Sequence, residues 1–176
     1  PDTDRFAVSV FVTVDPVGRV REARFERTEI RSRHKLSYEE AQAVLDNRKS
    51  IDRQTDEALR ALAALAEILR ERRKDRGSLD FDLPEGRVLL GEKGEPVSIR
   101  VVERLESHRL VEAFMLLANE IAAREAVQKR LPILYRVHEP PPTDKMRDLR
   151  TLLGRLSHRV SKGNISQKDL QAILKQ

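Results

Sequence analysis

Residues 6–31 read FAVSVFVTVDPVGRVREARFERTEIR, and this stretch decides which class of fold the chain can adopt. Over residues 6–14 the side chains alternate, with Phe6, Val8, Val10, Val12 and Val14 on one side and Ala7, Ser9, Phe11 and Thr13 on the other. A period of two is that of a β-strand, and both sides are apolar enough to predict substantial burial. Asp15-Pro16-Val17-Gly18 carries turn chemistry, since proline presets φ and glycine accepts a positive one. Residues 19–31 then return as the second strand of a hairpin. Their alternation breaks around Glu22 and Ala23, where a bulge is predicted.

Outward from the hairpin the period changes to that of helices. Ser37-Tyr38-Glu39-Glu40 has the spacing of a capping box, which predicts a helix running towards Leu45. A longer helix is predicted over residues 51–74, striped by Leu59, Leu62, Ala63, Leu65, Ala66 and Leu69 and closed by basic residues before Gly77. Residues 79–83, 87–90 and 97–102 read as three short strands, the last two joined by GEKGEP. Ser107 is the candidate cap of a helix reaching about Lys129. Residues 132–137 read as a further strand, stopped by EPPP, and two amphipathic helices over 143–156 and 166–174 flank the loop at 161–164. Hairpin, two helices, three strands, helix, strand and two helices predict an α+β (mixed α/β) fold, a β-sheet packed by several helices. Both chain ends fall beside elements that want neighbours, so an internal segment of a single larger domain is expected.

The totals narrow the function classes. The chain has 176 residues, enough for one domain with a real core. It has no cysteine, which excludes disulfides, thiolate metal sites and a thiol nucleophile, and makes the reducing cytoplasm the expected compartment. No apolar run is long enough to span a membrane, and the opening PDTDRF lacks signal-peptide architecture. Lys and Arg number 34 against 29 Asp and Glu, a net charge of +5 that is compatible with a polyanionic partner without requiring one.

One residue in the chain breaks its local pattern. From Leu110 to Ala118 every side chain except Glu112 is apolar, which predicts a helix buried all round with one carboxylate stranded inside it. An isolated ionised carboxylate in apolar surroundings is costly unless something pairs with it. Glu112 shares a helical face with Met115, Leu116, Asn119 and Ala123. Two readings stand side by side: a functional site, or a structural glutamate bonded to a neighbouring strand or arginine.

Other motifs carry less. Gly91-Glu92-Lys93-Gly94 has the G-x-x-G form of an RNA backbone clamp, but it joins two strands and reads as a hairpin turn. Asp80 and Asp82 project to one side of a predicted strand, as a cation site or, more simply, as a solvated face. His34, His108, His138 and His158 have no ligand-like spacing, so no metal site is expected in this chain. Arg136, in the predicted strand, and His138, which follows it in alternation, would emerge on one side to grip phosphate or brace a sheet edge. No nucleotide loop, nucleophile elbow or Ser/His/Asp arrangement is present.

Five strings in order carry more than any one of them: DRFAVSV (4–10), EIRSRHKLSYEEAQ (29–42), LRERRKDRGSLDFDLPE (69–85), SHRLVEAFMLLAN (107–119) and PILYRVHEPP (132–141). Together they resemble the central part of the RNB exoribonuclease domain of the ribonuclease II / ribonuclease R family. That resemblance implies hydrolysis of single-stranded RNA from its 3′ end, processively, to nucleoside 5′-monophosphates, with Mg2+ or Mn2+ as cofactor in the complete enzyme. It implies that Phe81 is an aromatic platform on which a base stacks, since stacking on a ring is sequence-tolerant. It further implies that Tyr38 and Glu112 lie near the bound 3′ end, Glu112 as the catalytic-site carboxylate. A phenol and a carboxylate can both bond a ribose 2′-OH, which DNA lacks. Arg136 and His138 match the family string as RNA-contacting candidates, with no specific chemistry attached.

The match is incomplete. The family's metal-holding aspartates lie upstream of the position matched by Pro1, and its phosphate-contacting arginine lies downstream; neither is in this chain. The family's paired acids are reduced to one, with Ala113 in the second place. Two-metal hydrolysis needs carboxylates around both ions, so the isolated segment is expected to bind no metal and to be inactive, its partners being single-stranded RNA and the remaining parts of the RNB domain. The alternative reading is a non-catalytic RNA-binding or assembly module with an RNB-like fold. Oligomeric state is not readable.

Overall fold

The computed structural model describes residues 1–79, 85–91, 93–158 and 165–174. Those residues form two compact units, one of residues 1–72 with 85–91 and 93–125, and one of residues 73–79 with 126–158 and 165–174. The fold is α+β, as the alternation of strand and helix periods predicts.

The first unit opens with β1 (Asp4–Val14) and β2 (Val20–Arg31), an antiparallel two-stranded sheet. Its turn forms for the reason its residues suggest. The Asp15 carboxylate accepts the Val17 and Arg19 N–H groups at 3.1 and 2.8 Å, and Gly18 takes φ 76°. The bulge falls at Arg21: Thr13 faces Glu22 while Val14 faces Val20, one residue before the predicted position. Ser9 and Thr28 share a 2.6 Å hydrogen bond across the strands, and the Arg24 guanidinium lies 4.4 Å from the Phe11 ring centroid.

The expectation that both sides of this first strand are buried is corrected. Phe6 is 93% exposed and Val8 74%. The hairpin is covered most fully at its turn, where the Gly18 carbonyl accepts a hydrogen bond from Arg72 and the Gly18 backbone lies against Ile68, while Ala7, Ser9, Val10 and Val12 are half-buried. Alternation reports which side chains share a face; what covers that face is decided by distant chain.

Three helices follow the hairpin. α1 (Tyr38–Leu45) starts with a complete capping box, Ser37 accepting from the Glu40 N–H while the Glu40 carboxylate accepts from the Ser37 N–H. α2 (Arg53–Asp75) opens on Asp52, whose carboxylate accepts the Thr55 N–H and hydroxyl; its last residues belong to the second unit. α3 spans Glu106–Gln128. Among the described residues of this unit, Val44 of α1, Ala66 and Leu69 of α2, and Ala113 and Ile121 of α3 are the buried apolar side chains. Buried Asp56 is satisfied by the Ile51 N–H. Between α2 and α3, β3 (Glu85–Leu90) pairs antiparallel with β4 (Pro96–Val102), and Gly91 and Glu95 close the turn as a hairpin rather than a clamp. The third predicted strand of this region, and with it Asp80, Phe81 and Asp82, lies outside the described residues.

In the second unit α4 (Thr143–Arg155) and α5 (Gln167–Leu174) carry Leu153 and precede or follow buried Ile165. The Gln171 amide donates to the Lys74 and Ser78 carbonyls at 2.8 and 2.6 Å, tying α5 to the end of α2 and the turn that follows it. The predicted strand at 132–137 is corrected: these residues form neither strand nor helix, and Leu134 is fully exposed. A strand has no internal hydrogen bonds and exists only beside a partner, and no described residue pairs with this stretch. The loop at 161–164 lies outside the described residues.

Candidate nucleic-acid interface

The site is built where the start of α3 meets the start of α1. Ser107, 2% exposed, makes both links: its hydroxyl donates to the Tyr38 carbonyl at 2.8 Å and its N–H donates to the Gln42 side-chain oxygen at 3.0 Å. Ser107 therefore does not cap α3, as its position in the sequence predicts; it lies one residue inside the helix and ties it to α1. The entry to α3 is held instead by His108, whose Nδ1 accepts the Leu105 N–H at 3.2 Å.

The same His108 ring stacks on Tyr38, with centroids 4.0 Å apart and planes 17° from parallel. Tyr38 keeps 43% of its surface exposed, so the part of the phenol not under the imidazole is open to a ligand. Glu39 beside it is held below the usual carboxylate range, chiefly by its own backbone N–H and by the Ser37 hydroxyl.

Glu112 sits one turn beyond His108 on α3, four residues along and so on the same face. It is not stranded in an apolar interior. Its carboxylate is 44% exposed and takes a 2.6 Å charge-assisted hydrogen bond from the Arg104 guanidinium. The expectation of a helix buried all round is corrected too, since Met115 is 59% exposed; apolar composition on every face does not supply a cover for every face. Arg70 of α2 reaches Glu106 at 2.8 Å and adds a third helix to the junction.

Tyr38 and Glu112 thus belong to one unit, Tyr38 stacked on His108 and Glu112 one helical turn beyond His108. Phe81 lies outside the described residues. Arg136 and His138 fall in the second unit, both exposed and in irregular chain rather than on the expected strand. Two participants were missed in the sequence. Arg104 and His108 stand at four-residue spacing before Glu112, a local signal that could have pointed to both. The Tyr38–His108 stack joins residues seventy apart in sequence and leaves no local trace.

Comparison with known proteins agrees with this architecture. The RNB domain profile matches residues 1–176. Ribonuclease R of Aquifex aeolicus is 36% identical over 165 residues, covering 92% of this chain and 23% of that protein. The exosome complex exonuclease dis3 of Schizosaccharomyces pombe is 33% identical over 166 residues, covering 93% and 16%. Mycoplasma genitalium RNase R, solved in complex with ribose-methylated single-stranded RNA, superposes with a TM-score of 0.85 at 24% identity over 96% of this chain and 26% of that one, a likeness of fold. The chain spans less than a quarter of the length of either curated relative. With the whole chain matched by one profile, it belongs to the RNB domain family.

Proposed function

We propose that this chain works as part of a 3′-to-5′ exoribonuclease that hydrolyses single-stranded RNA processively to nucleoside 5′-monophosphates, and that its own share is to receive the 3′ end. The observation that carries the reading is the Tyr38–His108 stack, which sets the phenol against the helix that bears Glu112 one turn further on, in a chain of the RNB domain family. The phenol hydroxyl and the carboxylate are complementary to a ribose 2′-OH, which both donates and accepts. Arg104 beside Glu112 offsets the carboxylate's repulsion of an incoming phosphate and keeps its oxygens oriented. Phe81 is proposed as the ring on which a base stacks, and exposed Arg136 and His138 as further RNA contacts. The cytoplasm is the proposed compartment.

Phosphodiester hydrolysis in such an enzyme calls for a divalent ion, Mg2+ or Mn2+, which supplies an activated water and charge stabilisation. Among the described residues no group of three or more His, Asp or Glu is placed to hold one. The described residues therefore do not by themselves fit the ion, and we assign it to the complete enzyme.

The test is digestion of 5′-labelled single-stranded RNA by the full-length protein with Mg2+. The expected result is a ladder shortening from the 3′ end with release of nucleoside 5′-monophosphates, and no turnover by the 176-residue chain alone. Salt-sensitive RNA binding without any turnover by the full-length protein would favour a non-catalytic module and overturn the proposal.

A further inference from the structure

We infer that His108 is a positioning residue for Tyr38, setting the angle at which the phenol meets the terminal sugar and so contributing to the choice of ribose over deoxyribose. This rests on the ribose-contact reading of Tyr38 and Glu112. Tyr38 is the first residue of α1, and no preceding helical turn constrains its side chain. The constraint comes from α3. Ser107 holds the Tyr38 carbonyl at 2.8 Å, and the adjacent His108 covers one face of the Tyr38 ring at 4.0 Å.

The imidazole is itself fixed twice. Its Nδ1 accepts the Leu105 N–H at 3.2 Å, which in the neutral ring leaves the proton on Nε2, and its face lies on the phenol. Glu112 projects from the same helix one turn further on. His108, with Ser107 holding the Tyr38 carbonyl, therefore fixes the phenol against the helix that carries Glu112. A contact that discriminates one hydroxyl depends on such placement, since displacement by about 1 Å can cost on the order of a hundredfold in rate.

The test is made in the full-length protein. It compares kcat/KM for single-stranded RNA ending in a ribonucleotide with that for the same strand ending in a 2′-deoxynucleotide. Tyr38→Ala and His108→Ala should each lose about tenfold of the ribose preference, and the double variant little more, because the two act as one unit. His108→Phe keeps a flat ring on Tyr38 and should retain the preference. His108→Asn keeps an acceptor for the Leu105 N–H without the ring, and should lose it. An unchanged preference in His108→Ala, or retention by Asn with loss by Phe, overturns the inference and leaves His108 to the helix entry alone. If Tyr38→Ala loses the preference while His108→Ala does not, only the inference fails. If Tyr38→Ala also keeps it, the ribose-contact reading fails and this inference with it. Should His108→Ala not fold, the contrast between Phe and Asn decides.

Discussion

Replacing Glu112 with Gln separates a structural carboxylate from a functional one, because the two roles carry different magnitudes. The structural role is the pair with Arg104. With the two side chains 44% and 30% exposed, solvent screens that pair, and its worth is on the order of 1 kcal/mol or less. Glutamine also keeps an oxygen that can accept from the guanidinium. Glu112→Gln should therefore leave unfolding free energy within about 1 kcal/mol of the parent. The functional role is a charge-assisted hydrogen bond to the 2′-OH, worth about 1.5–3 kcal/mol, which converts to a loss of roughly 10- to 150-fold in selectivity. The assay is the ratio of kcat/KM for ribose-ended and 2′-deoxy-ended strands in the full-length protein, with denaturant unfolding alongside. A selectivity unchanged within twofold, or a destabilisation of about 3 kcal/mol or more of the size a buried unpaired charge produces, would refute the reasoning.

Other expectations follow from the supporting geometry. Ser107→Ala removes the bond to the Tyr38 carbonyl at a nearly buried site and should cost about 1–3 kcal/mol, read as faster amide exchange at the start of α1; unchanged exchange there would contradict the link. Gly18→Val forces a β-branched residue into φ 76° and sets a Cβ 3.0 Å from the Ile68 Cγ2, so it should destabilise the first unit by about 1–2 kcal/mol or more, measured by urea unfolding, with no change counting against the close approach. Acid should weaken this unit in a defined window. The Arg19 N–H holds Asp15, and the Lys49 ammonium holds Glu40, below the usual carboxylate values of 3.8 and 4.5. A depressed folded value means the stabilisation is complete above the unfolded value and is lost as pH falls through the folded one. Asp15→Asn should accordingly flatten the acid limb below about pH 4 in a circular-dichroism titration, and an unaltered limb would remove Asp15 from the account.

What could be read from sequence was local. The Asp15–Gly18 turn, the Ser37–Glu40 capping box and the GEKGEP hairpin each contain their own hydrogen-bond partners within a few residues, so residue type and spacing were sufficient. What escaped was set at a distance. Phe6 and Val8 alternate like buried strand residues and are exposed, and residues 132–137 alternate like a strand and have no described ladder. Ser107 has the look of a cap and instead bonds α1. Glu112 was singled out because burial would demand a partner; it is instead 44% exposed, and its bond to Arg104, which precedes the helix, is the arginine pairing that the structural alternative expected. Family resemblance named candidate residues, and only the surroundings of Tyr38 and Glu112 could then be followed in the structure.

The most direct test of the central claim is where a 3′ end lands. A single-stranded RNA bearing a photo-crosslinking base at its 3′-terminal nucleotide, bound to the full-length protein with divalent ions chelated, should crosslink to the peptides holding Tyr38 and residues 104–112. Crosslinks that map wholly elsewhere, with those peptides unmodified at saturating RNA, would contradict the account.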